Sequence, residues 1–142
     1  MGLDNSISYL LAKIAGASRD RLDKSLSEIG LYGGQSFVLI SLWESDGLNQ
    51  TELSQKLNVS PPTISAMVKS LSKNNFIKIL KCERDGRATR IYLTEKGVGC
   101  QNFVETKWIE AESAAFSSLT ETEKLIFRQI LEKLKENSPK KT

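Results

Sequence analysis

Apolar residues recur every three or four positions at Ile7, Leu10, Leu11, Ile14, Leu22, Leu26 and Ile29. That spacing predicts a helix over 6–29 with one buried face. Ala15, Gly16 and Ala17 interrupt the stripe with small side chains, where another backbone can approach closely, and Gly30 marks a stop. Phe37, Val38, Ile40, Leu42 and Trp43 predict a short, buried helix over 35–44, and Asp46-Gly47 a turn. Asn49-Gln50-Thr51-Glu52 reads as a capping box opening a short helix with Leu53 and Leu57 inward. Asn58 suits the left-handed conformation of a tight turn. Ser60-Pro61-Pro62 then starts a further helix, with Ser60 as cap and Pro61 where an N–H would lack a partner. Its inward positions are Ile64, Met67, Val68 and Leu71, and it fades at Asn74-Asn75.

The pattern then changes to that of strands. Phe76 to Cys82 and Arg90 to Leu93 flank the polar turn Arg84-Asp85-Gly86-Arg87, which predicts a β-hairpin. Thr94 caps a helix expected to run to about Phe116, and Leu119-Thr120-Glu121-Thr122-Glu123 opens a last one through a second capping box. Residues 138–142 form a polar tail. No internal repeat interrupts this order.

Charge sharpens the picture. The net charge of +3 is unevenly placed: residues 60–96 carry eight Lys and Arg against three Asp and Glu, a net of +5. Such clustering is an electrostatic footprint for a polyanion. The chain has no histidine and two cysteines, Cys82 and Cys100, with no Cys-x-x-Cys. Imidazole is thus unavailable as metal ligand or general base, and no metal site, cofactor or catalytic group is expected. No apolar run approaches the roughly 20 residues that span a bilayer, so no membrane partner and a cytoplasmic location are expected.

Two short helices joined by a tight turn form a helix-turn-helix. The second leaves Pro62, Thr63, Ser65, Ala66, Lys69, Ser70 and Lys73 on its outer face. These are slim near the start, where base edges in a major groove are read, and basic further on, where phosphates lie. Ser60 belongs to the same end, and a helix N-terminus adds free N–H groups and positive dipole. The hairpin supplies a second probe: Arg84, Arg87 and Arg90 cluster near its tip and suit a minor groove, with Asp85 placed to hold Arg87 in one rotamer.

The stretch from Leu48 to Gly97 resembles the winged-helix core of the MarR family of bacterial regulators. Asn49-Gln50-Thr51-Glu52-Leu53-Ser54 is similar to that family's opening motif. Asp85-Gly86-Arg87, followed by Leu93-Thr94-Glu95-Lys96-Gly97, resembles its Asp-x-Arg wing and the lead into the next helix. The resemblance implies a mainly α fold with a small β-hairpin wing: a winged helix-turn-helix flanked by N- and C-terminal dimerisation helices. One domain covers 1–142, with a core at 31–96, dimerisation helices at 4–30 and 97–137, and a tail at 138–142. It implies a homodimer, in keeping with the apolar surface of Leu10, Leu11, Phe103, Trp108, Phe116 and Ile130. Arg87 would enter the minor groove, oriented by Asp85, while Thr63, Ser65 and Lys69 face the major groove of a roughly palindromic operator in double-stranded DNA.

The expected function is a sequence-specific transcriptional repressor, not an enzyme, released by a small aromatic ligand. Tyr32, Phe37 and Trp43 are its candidate ligand-binding residues. One alternative is a thiol-based redox sensor using Cys82, which lies near Lys81 and Arg84. Another is a winged-helix module for protein–protein assembly, its arginines meeting an acidic partner.

Overall fold

A computed structural model describes residues 2–81 and 89–137. Among them, seven α-helices and a two-stranded antiparallel sheet follow the order α1 (Ile7–Leu26), α2 (Gln35–Glu44), α3 (Gln50–Leu57), α4 (Pro61–Lys73), β1 (Ile77–Lys81), β2 (Thr89–Leu93), α5 (Glu95–Gly99), α6 (Gln101–Ala115) and α7 (Glu121–Lys135). The fold is mainly α with a small hairpin wing, as the pattern of the sequence predicts.

Local chemistry sets most boundaries. A 3₁₀ turn, Ser27–Ile29, closes α1, and Gly30 ends it at φ 85°. Asn49 accepts a hydrogen bond from the Glu52 N–H while the Glu52 carboxylate accepts one from the Asn49 N–H, a complete capping box. Thr120 and Glu123 repeat the arrangement at α7. Asn58 turns the chain between α3 and α4 at φ 55°.

Two boundaries differ from expectation. The helix opened by Thr94 does not run unbroken to Phe116: α5 ends at Gly99, and the Cys100 N–H bonds both Lys96 O and Val98 O, so the last turn tightens before α6 begins. Ser60 does not cap α4 with its side chain; its hydroxyl lies 3.0 Å from Thr63 Oγ1 instead.

The core is continuous and joins α1, α2, α3, α4, the wing base and α6. Leu22, Leu26, Leu31, Val38, Leu39, Leu42, Leu53, Ile64, Val68, Leu71, Phe76, Ile91 and Val104 are buried together. By contrast, α7 buries no residue among those described, and α1 buries only Leu22 and Leu26.

Candidate nucleic-acid interface

A helix turns 100° per residue, so Pro62, Ala66, Lys69 and Lys73 fall within roughly 60° of arc on α4. All four are exposed, while Ile64, Val68 and Leu71 on the opposite side are fully buried. Thr63 is exposed at one flank and Ser65 half-buried at the other. Ser70, expected outward, faces inward: its Oγ takes a 2.8 Å hydrogen bond from Gln35 Nε2 on α2. The outward stripe is therefore narrower than the sequence suggests, and its charge comes from Lys69 and Lys73. Pro61 and Pro62 occupy the first two helical positions. Thr63 is then the sole N–H donor among the first three, so this helix start offers a phosphate less backbone than expected, with the Ser60 and Thr63 hydroxyls beside it.

Buried polar residues that the pattern of the sequence did not single out hold this helix in place. Ser54 Oγ donates to Val59 O at 2.6 Å, and the Val59 N–H returns a bond to Ser54 O at 3.2 Å, closing the turn between α3 and α4 from both sides. Gln35, 8% exposed, uses both ends of its amide: Nε2 donates to Ser70 Oγ and Oε1 accepts from the Tyr32 N–H at 3.2 Å. The signal for Ser54 is a polar residue at a position where helical periodicity calls for an apolar one. Gln35 gives no such signal, because its partner lies 35 residues away.

The wing pairs Ile77 with Leu93 through Lys81 with Thr89. Leu48 extends it by a bridge to Ile91. Asp46 Oδ1 accepts from the Gly47 and Leu93 N–H groups at 3.1 and 3.0 Å. Arg90 Nη1 donates to Gly47 O at 2.9 Å and stands 3.7 Å from Glu52. Arg90 thus fastens β2 to the turn before α3; it is exposed, but its guanidinium is already engaged on protein. Lys78 and Lys81 are exposed on β1. Arg84, Asp85, Arg87 and Cys82 lie outside the described residues. At the wing's foot, Lys96 donates to Asn74 O at 2.8 Å and covers the Phe76 ring at 4.2 Å.

The three aromatic residues expected to share a ligand pocket do not converge. Tyr32 is 55% exposed. Phe37 packs edge-on against Trp108 at 5.3 Å, in a cleft with α1, α6 and α7. Trp43 faces a different groove and donates its indole N–H to Gly97 O at 2.9 Å. Phe37 and Trp43 are six residues apart, which puts them about 120° apart on α2. Cys100, half-buried, donates its thiol to Gly97 O at 3.4 Å. Burial pushes its pKa up, against the opposing pulls of a backbone hydrogen bond and Lys96. Such a thiol is a weak nucleophile near neutral pH.

Comparison with known proteins agrees with this architecture. The model of the MarR family matches residues 31–89. An HTH-type transcriptional repressor of Mycobacterium tuberculosis is 26% identical over 136 residues, covering 94% of this chain and 98% of that protein. A MarR family transcriptional regulator from Listeria monocytogenes, solved with 26mer DNA, superposes with a TM-score of 0.84 at 26% identity, over 94% of this chain and 89% of that one. CouR from Rhodococcus jostii RHA1, bound to p-coumaroyl-CoA, shares the fold with a TM-score of 0.80 at 22% identity, over 94% of each chain. The family model ends inside the wing, but these likenesses run on through the helices at both ends, so the chain is similar to regulators of the MarR family over nearly its whole length.

Proposed function

We propose that this chain is a homodimeric repressor that binds double-stranded DNA through α4 and the wing, at a roughly palindromic operator, and releases it when a small ligand binds. The observation that carries the reading is the exposed stripe of Pro62, Ala66, Lys69 and Lys73. It is slim at its start, basic at its end, and backed by three buried aliphatics. Thr63 and Ser65 flank it for base contacts. Arg84, Asp85 and Arg87 at the wing are assigned the minor groove, with Asp85 orienting Arg87. The Listeria relative's complex with 26mer DNA supports the choice of DNA as the partner.

A dimer accounts for the apolar surface at the two ends of the chain. Ile7, Leu10 and Ile14 of α1 and Ile126, Ile130 and Leu134 of α7 are each about half exposed or more. Burying such stripes against a second copy removes apolar area worth roughly 25 cal/mol per Å² from water. The core at 31–96 then carries recognition, and the segments at 4–30 and 97–137 carry association. Two recognition helices one helical turn apart read half-sites about 10 bp apart.

Fluorescence anisotropy on duplexes selected from a random pool, repeated across a salt series, tests this reading. Binding must exceed that to random duplex and fall steeply with salt. Lys69→Ala reduces the salt slope by about one, and Arg87→Ala lowers affinity markedly. Uniformly weak binding after selection would sink the repressor and favour an assembly module.

A further inference from the structure

A groove of about 390 Å³ runs between α2 and α6, within the size range of small-molecule sites. Ile40, Trp43 and Glu44 line it from α2; Glu105, Trp108 and Ile109 are among those lining it from α6. One indole and one carboxylate thus come from each wall, and no lysine or arginine lines it among the described residues. Glu44 has an ion pair with Lys56 of α3 at 2.9 Å, and that contact leaves the carboxylate largely exposed. Glu105 has a neutral partner, the Gln101 amide, at 2.9 Å. Electron-rich ring faces beside carboxylates attract a cation and disfavour an anion. We propose that this groove is a binding site for small aromatic monocations, such as substituted benzylammonium compounds. The aromatic part would lie along Ile40 and Ile109, and the cationic head between the indoles and Glu105.

One lining residue, Trp43, links the groove to the foot of the wing. The Trp43 indole N–H bonds Gly97 O, at the helix that leaves β2, so a ligand that displaces this indole shifts the foot of the wing. This consequence rests on the DNA-binding reading above; the binding itself does not.

The chain has two tryptophans, and both line the groove, so intrinsic fluorescence reads the site directly. DNA-free protein is titrated with benzyltrimethylammonium at constant ionic strength, beside phenylacetate and benzyl alcohol. The expected result is a saturable emission change with the cation, at concentrations about ten-fold below those for the anion or the alcohol. Glu105→Gln weakens the cation about three-fold, and Glu44→Gln/Glu105→Gln about ten-fold, with urea midpoints near that of the parent. Lys56→Gln frees Glu44 and tightens the cation, a change of sign that mere loss of packing does not produce. Equal responses to cation and anion, no saturation, or parent affinity in the double variant overturns the site. In the DNA arm, saturating cation lowers affinity for the selected duplex; cation binding that leaves that affinity unchanged overturns the link to the wing. A chain that binds the cation but no duplex refutes the repressor and leaves the groove standing.

Discussion

Gly97 and Gly99 lie two residues apart on α5, and replacing each by alanine should move stability in opposite directions. Neither has a positive φ, so both accept an L side chain's backbone conformation. Space separates them. A Cβ on Gly97 would fall far inside contact with the Phe76 carbonyl oxygen and 3.1 Å from Leu93 Cδ2. Phe76 is itself buried, and its oxygen accepts the Thr94 N–H at 3.2 Å, so the obstacle is backbone that cannot swing aside. A Cβ on the exposed Gly99 meets nothing within 4 Å.

Alanine in a helix gains about 0.5–1 kcal/mol over glycine at either position. At Gly97 the overlap costs about 1–3 kcal/mol. It also strains the Phe76–Thr94 bond and the Trp43–Gly97 bond, each worth about 1 kcal/mol. The net is a loss of about 2 kcal/mol for Gly97→Ala and a gain of a few tenths or more for Gly99→Ala. With a urea dependence of about 2 kcal/mol per molar, the Gly97→Ala midpoint drops by about 1 M. Both variants are compared with the parent at one protein concentration, because a dimer's stability depends on it. Equal midpoints for the two variants, or a Gly97→Ala midpoint at or above the parent's, would refute the reasoning. Gly97→Ala should also weaken DNA binding more than Gly99→Ala does, since the displaced backbone carries the foot of the wing.

Asn49→Ala removes the side-chain half of the α3 capping box and should cost about 1 kcal/mol in urea denaturation, whereas Asn49→Ser should cost little. Burial raises the Cys100 pKa, so folding favours the neutral thiol. Its contribution to stability is full below the free thiol's pKa and is lost as pH rises through the folded one. Labelling of Cys100 by iodoacetamide in the folded Cys82→Ser variant should therefore lag behind that of a model thiol near neutral pH; an equal or faster rate would contradict it. Ile126→Glu/Ile130→Glu places two charges on the exposed apolar stripe of α7 and should give monomers in sedimentation velocity. An unchanged dimer would remove that stripe from the interface.

The features legible in the sequence are those that neighbouring residues decide. Gly30, Asn58, Thr94 and the two capping boxes act through hydrogen bonds or dihedrals within a few positions, and each marks a boundary the structure keeps. The buried face of α4 came from periodicity, because Ile64, Val68 and Leu71 repeat at three and four. The break at Cys100 was not legible. It accompanies the close fit of α5, through Gly97, against the Phe76 carbonyl, more than twenty positions back. Composition alone places Arg90 at a basic wing tip. Its tie to Gly47 O depends on a pairing of β2 with Leu48 that no local pattern announces.

Helix α2 shows why the rest stayed hidden. Its sequence is apolar nearly all round, which predicts burial and gives no direction. In the fold its side chains reach three different structures. Gln35 holds Ser70 on α4, Phe37 packs on Trp108 beside α1 and α7, and Trp43 holds Gly97 at the foot of the wing. Each contact spans 35 positions or more. A rigid helix of ten residues that touches α6, α4 and the foot of the wing cannot move relative to one without straining the others. A displacement of α2 therefore acts on α4 and the foot of the wing together. That coupling resides in packing directions that hydrophobic periodicity cannot encode.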